Sequence, residues 1–264
     1  MLLIGDFGSK YYKQINEAIG KRDKEALKKL VKEQVGLGIN YISTGYISTL
    51  SSRLEDLKWF VDTIQEEAEV SLHLHNTKIE FLDNILSRCS RGRPMIGYVL
   101  AEHDSIKKYL PVIKKYRPRI TGLLMKNDRP PENAMQRLEA ARLLVNALLE
   151  AGTFEEDIFL DPFITPICYN SQAGMQVMEA MSSIKNEFRK INLVCDISNI
   201  SFGLPGSALI DKVFMVQLMT AGMNALIVNS LDKDVRTVLY ASRMLLGQDD
   251  HCREYLSAHR QGII

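Results

Sequence analysis

Along this chain the hydrophobic period changes again and again: short apolar runs alternate with longer stretches in which apolar residues recur at helical spacing. The runs are Leu2–Ile4, Asn40–Ser43, Val70–Leu74, Met95–Val99, Ile120–Met125, Ile158–Leu160, Asn192–Cys195 and Ala225–Val228. Between them, Leu54, Leu57, Val61, Ile64 and Ala68 fall on one side of a helix, a stripe suited to packing on a sheet. Leu138, Ala141, Val145 and Leu148 form a second such stripe. It ends at Ala151-Gly152, where glycine can take the left-handed conformation that closes a helix. Pro130-Pro131-Glu132 is read as that helix's first turn, where proline is tolerated and acid is favoured. Eight strands alternating with helices in 264 residues predict an α/β fold, a (β/α)8 TIM barrel forming one domain over residues 1–264. No GxGxxG follows the first strand, which argues against an open dinucleotide-binding sheet.

Composition narrows the partners. The chain is 46% hydrophobic and 25% charged, with a formal net charge of +1, so it carries no electrostatic footprint for nucleic acid or an anionic membrane. The start MLLIGDFGSK is too short in apolar residues for a signal core or a span, and a cytoplasmic location is expected. Cys89, Cys168, Cys195 and Cys252 show neither CxxC nor zinc-finger spacing, and are read as reduced thiols.

In such a barrel the loops at the carboxyl ends of the strands hold the chemistry. The residues standing there are Asp6, Ser43-Thr44, His73, His75-Asn76-Thr77, Gly97-Tyr98, Lys126-Asn127-Asp128, Asp161-Pro162, Asp196 to Asn199 and Asn229-Ser230. In FLDPFITP, Asp161 ends an apolar strand, and its carboxylate can accept two hydrogen bonds from a planar edge such as a pterin ring. An aspartate that merely caps the next turn would look the same. In DISNISFGLPG a strand ends in Ser198-Asn199 before a glycine-containing loop that lets backbone approach a ligand. Asn199 can both donate and accept, so it can follow a nitrogen through a change of protonation, or equally satisfy its own loop. His73-x-His75 places two imidazoles on one side of a strand if both lie in regular structure, but no zinc motif accompanies them and no metal site is expected.

Taken together, MLLIGDF, LHLHNT, PMIGYVLAE, GLLMKNDRPP, FLDPFITP and ISNISFGLPG resemble the pterin-binding methyltransferases. That group includes the methyltetrahydrofolate–corrinoid/iron–sulfur protein methyltransferases, the folate module of cobalamin-dependent methionine synthase and, more distantly, dihydropteroate synthase. The resemblance implies methyl transfer between N5 of methyltetrahydrofolate and the cobalt of a corrinoid carried by a separate protein. It implies that Asn199 is the catalytic contact to N5 and that Asp161 holds the pterin edge. Ser198, His75, Asn127 and Asn229 complete the implied substrate-binding set, and a homodimer is the implied assembly.

The mouth also departs from the family pattern. Asp6-Phe7-Gly8-Ser9 stands for the usual acidic-Arg-Ile-Asn, and Ser43-Thr44-Gly45 for Asp-x-Asn. His75 replaces an aspartate, Gly97 an asparagine and Ser207 a basic residue. Two alternatives follow from these changes: a non-catalytic or regulatory relative with lost pterin affinity, and a dihydropteroate synthase-like enzyme.

Overall fold

The computed structural model describes residues 1–45, 47, 50, 52–126 and 129–264, with residues 8–10 described by their backbone alone. Its strands are β1 (Leu2–Gly5), β2 (Tyr41–Ser43), β3 (Ser71–His75), β4 (Met95–Leu100), β5 (Arg119–Leu123), β6 (Ile158–Asp161), β7 (Asn192–Asp196) and β8 (Ala225–Val228). They are parallel, pair in chain order and close when β8 meets β1. The helices are α1 (Gly8–Lys21), α2 (Lys24–Gly36), α3 (Leu54–Glu67), α4 (Ile79–Leu86), α5 (His103–Tyr116), α6 (Ala134–Glu150), α7 (Ala173–Glu187), α8 (Ser207–Thr220), α9 (Lys233–Leu245) and α10 (Arg253–Arg260). This is the predicted (β/α)8 barrel, and each apolar run falls on one of its strands.

Side chains alternate across the barrel wall, and the alternation sorts them into two cores. Ile4, Tyr41, Met95, Phe159, Val194, Ala225 and Ile227 fill the interior. A larger cluster lies between strands and helices, and it contains the predicted stripes through Leu57, Val61 and Ile64 and through Leu138, Ala141, Val145 and Leu148. Each of these large aliphatic side chains contributes roughly 1.5–3 kcal/mol by leaving water. At the N-terminal end of the barrel Arg119 seals the interior. Its guanidinium donates to the Tyr41 hydroxyl at 2.8 Å and lies over the Tyr41 and Phe159 rings.

Two boundaries differ from expectation by more than one residue. The strand at Ile120–Met125 stops at Leu123, because Lys126 turns away to bridge with Arg129. Helix α6 starts at Ala134, with Pro130 and Pro131 outside it. The Asn133 side chain accepts the Gln136 amide at 2.9 Å and so satisfies a first-turn donor that proline does not reach. The far end is as read: Gly152 has φ +88° and its amide bonds to the Leu149 carbonyl. Among the described residues no helix is long and apolar enough to cross a membrane.

Candidate functional site at the carboxyl ends of the strands

The mouth is organised by an irregularity in β4. Ile96 pairs with Ile120 and Val99 with Gly122, so β4 spends two residues where β5 spends one. Such a bulge re-aims a side chain. Ile96 and Val99 both pack outward into the helix-side core. Gly97 and Tyr98 lie between them, and Tyr98 turns into the mouth. Its hydroxyl donates to Oδ2 of Asp161 at 2.8 Å, and its ring meets His75 edge-on with centroids 4.9 Å apart.

Both histidines of β3 lie in regular structure and point the same way, with ring centroids 5.4 Å apart. His73 is fully buried. Its Nδ1 lies 3.3 Å from Ser43 Oγ and its Nε2 3.3 Å from Thr121 Oγ1, so both ring nitrogens are engaged by the barrel wall. Burial holds His73 well below the usual imidazole range, with His75 adding to the effect. Burial likewise draws His75 down to about 4, so its ring is neutral at physiological pH and offers one donor and one acceptor. Among the described residues no group of three His, Cys, Asp or Glu is placed to hold a metal ion. Cys195 lies in the helix-side core, across the barrel wall from the imidazoles.

Asp161 ends β6 and is buried. Burial pushes its carboxyl up to about 6, against the hydrogen bonds from Tyr98 and from the Phe163 amide, which reaches Oδ1 at 2.9 Å. Nearby Asp196 adds a smaller upward push and Arg137 a smaller downward one. The turn beyond Asp161 puts Phe163 at φ +57°, and Arg137 of α6 fastens it. This fully buried guanidinium donates to the carbonyls of Pro162 at 2.8 Å, Phe163 at 3.0 Å and Asn133 at 3.1 Å. Desolvation pulls it down to about 10, so it stays charged.

On the other side of the mouth, Asp196 ends β7 and caps a 3-10 turn over Ile197–Asn199. Its Oδ1 accepts the Ser198 amide at 2.9 Å and the Ser198 hydroxyl at 2.7 Å. Burial raises its carboxyl, opposed by these bonds. Asn199 is half-buried on that turn. The Ile167 amide donates to the Ile200 carbonyl at 2.9 Å, which ties the loop after Asp161 to the loop that carries Asn199. Next to this turn a cavity of about 340 Å³ is lined by Asp6, Tyr12, Asp196, Ser198, Asp211 and Asn229, among others. Gly45, at φ +51°, stands against Asp6 of that lining, where an added Cβ would fall 2.4 Å from Asp6 Oδ1.

The candidate residues thus occupy two connected parts of the mouth. His75 and Asp161 converge on Tyr98. Ser198 and Asn229 line the cavity, while each also makes a local turn: Ser198 on Asp196, and Asn229 by accepting the Leu231 amide at 3.1 Å. Asn127 lies outside the described residues. Sequence reading placed Tyr98 among the strand-end residues without giving it a role, and it did not name Arg137. A glycine inside a strand run is a bulge signal, and it stood at Gly97. Arg137 falls on the buried stripe of its helix, four residues before Ala141, where a cation has to find partners.

Comparison with known proteins adds lineage to this geometry. A methylcorrinoid:tetrahydrofolate methyltransferase of Eubacterium limosum is 24% identical over this whole chain and 98% of its own length. Methionine synthase of Mycobacterium tuberculosis is 21% identical over 83% of this chain, which spans only 19% of that protein. A Xanthomonas albilineans dihydropteroate synthase structure with 4-aminobenzoic acid superposes with a TM-score of 0.66 at 14% identity, covering 94% of this chain and 92% of that one, a likeness of fold. The pattern of the family described as pterin binding enzyme matches residues 13–229, most of the chain, and this chain belongs to that family.

Proposed function

We propose that this chain is a methyltransferase of a corrinoid-dependent system, passing a methyl group from a corrinoid on a partner protein to N5 of tetrahydrofolate bound in the barrel mouth. The observation that carries this is the end-to-end likeness to the Eubacterium limosum methylcorrinoid:tetrahydrofolate methyltransferase. In this reading the protein acts as a homodimer of one-domain chains in the cytoplasm.

The residues present suit a pterin best at Asp161. Its two oxygens accept one hydrogen bond each from Tyr98 and Phe163, which leaves acceptor capacity on both for a ring edge with two donors. They suit it differently at β3 and β4, where the pair His75–Gly97 offers one neutral ring and no second side chain. The partner's corrinoid supplies an electrophilic methyl group on cobalt. The task of this chain is then to fix N5 in line and to match its changing protonation. As the N5 lone pair takes the methyl group, with the electron pair of the broken bond left on the corrinoid, N5 releases its proton to solvent, and the Asn199 amide can accept from the nitrogen before and donate to it after. Ser198 and Asn229, with Asn127, would hold the rest of the folate.

The test is anaerobic spectroscopy with methylcobalamin as donor and tetrahydrofolate as acceptor, with methyltetrahydrofolate identified by mass. Loss of the methylcorrinoid spectrum together with product is the expected result. Asn199→Ala should slow it by about 10²-fold or more. A chain that binds no tetrahydrofolate at millimolar concentration by calorimetry is not this enzyme. That result would favour the second reading, drawn from His75 and Gly97, of a relative that kept the barrel and lost folate affinity.

A further inference from the structure

A buried carboxylate that has to receive a planar ring edge needs its own plane fixed, because a rotated carboxylate presents its lone pairs in the wrong direction. The β4 bulge delivers one side chain to Asp161 that can do this. Tyr98 donates to Oδ2 at 2.8 Å while its ring abuts His75. Two strands and one imidazole therefore define where the hydroxyl sits. The opposite oxygen is fixed by the Phe163 amide, in a turn that Arg137 clamps.

We propose that Tyr98 is the positioning residue for Asp161, setting the carboxylate's plane for a ring edge with two N–H donors. This rests on the reading of Asp161 as the group that holds the pterin. Besides the Phe163 amide, the groups acting on Asp161 are Tyr98 from β4, Arg137 from α6, and Asp196 from β7, which also carries the buried Cys195 thiol. Of these, Tyr98 and Arg137 favour the charged form, and Tyr98 has the larger effect. The competing arrangement is a placeholder: a hydroxyl standing where a ligand N–H would stand and leaving when the ligand arrives.

The two arrangements give opposite results for Tyr98→Phe, which keeps the ring and removes the hydroxyl. As a positioning residue, its loss weakens tetrahydrofolate binding at pH 7 by about tenfold, and the acid limb of the binding profile moves up by about one pH unit. In the Asp161→Asn background the same substitution should have little further effect. Binding of tetrahydrofolate by Tyr98→Phe that is as tight as or tighter than wild type overturns the proposal. The carbon-13 carboxyl resonance of Asp161, titrated in the ligand-free protein, gives a readout independent of folate. It should titrate at higher pH in Tyr98→Phe, and an unmoved titration also overturns the proposal. Wild-type protein that binds no tetrahydrofolate defeats the proposed function instead. The carboxyl titration then decides alone whether Tyr98 governs Asp161.

Discussion

Gly97 and Thr121 face each other across β4 and β5 so closely that an added Cβ on the glycine would lie 2.7 Å from the Thr121 Cβ and 3.2 Å from the Thr121 carbonyl oxygen. The obstacle is wall rather than a flexible side-chain tip. Gly97→Ala is therefore expected to destabilise the barrel by about 1–3 kcal/mol, and Gly97→Asn, the residue that the family resemblance leads one to expect there, by more. A drop in denaturation midpoint at unchanged slope is the signature. An unshifted midpoint would mean that the wall yields, and that the missing asparagine is not a steric matter.

Arg137 carries a different kind of cost. Its three carbonyl acceptors are recessed at the start of α6 and in the turn after β6. Arg137→Met keeps the apolar stem and leaves those carbonyls short of donors, at about 2–4 kcal/mol in all. Hydrogen exchange should locate the loss, with amides of residues 161–168 opening first. Uniform loss of protection across the barrel would remove the clamp assignment.

Among the groups that set the pH dependence of stability, His75 and Asp161 oppose each other, with His73 acting in the same direction as His75 and Asp196 in that of Asp161. His75 titrates near 4 folded and 6.5 unfolded, so its contribution is present above 6.5 and is lost as pH falls toward 4. Asp161 titrates near 6 folded and 3.8 unfolded, so its contribution is present below 3.8 and is lost as pH rises through 6. At neutral pH the ionised, buried Asp161 is therefore a liability. Asp161→Asn should raise stability at pH 7 to 8 by on the order of 2–3 kcal/mol, a gain that fades below pH 4. His75→Gln should reduce, without abolishing, the acid-side loss between pH 6.5 and 4, since the buried His73 contributes a loss of the same sign. Melting temperatures of the three proteins across pH 4 to 8 test both signs, and parallel curves would refute the assignments.

The barrel was legible because its signal is periodic and repeated: each apolar run is as long as a strand, and helical stripes such as Leu57–Val61–Ile64 separate the runs. Asp161 stood out because it ends such a run before a proline. Tyr98 was less legible because period-2 alternation from Met95 sends it outward, and a bulge is a change of phase that composition does not mark. The start of α6 was misplaced because two prolines and an acid resemble a first turn, whereas the hydrogen bond that begins the helix comes from Asn133. The mutual approach of Asp6 and Gly45 was out of reach in sequence, since it depends on how neighbouring strands are staggered around the barrel.

The extra residue in β4 also changes how this mouth can be compared with others. Beyond Tyr98 the strand resumes its alternation one residue out of step, so positions counted from Met95 and positions counted back from Leu100 assign inward and outward faces oppositely. A relative without the bulge would present one side chain at this point of the rim where this chain presents a bare backbone and a phenol. Matching residue types column by column against such a relative would pair Gly97 with a side chain whose place is shared between two residues here. Chemical capacity at the fourth strand is conveyed by chain phase as much as by residue identity: with one residue of the pair removed, β4 would match β5 residue for residue, and a single side chain would stand where two residues now share the rim.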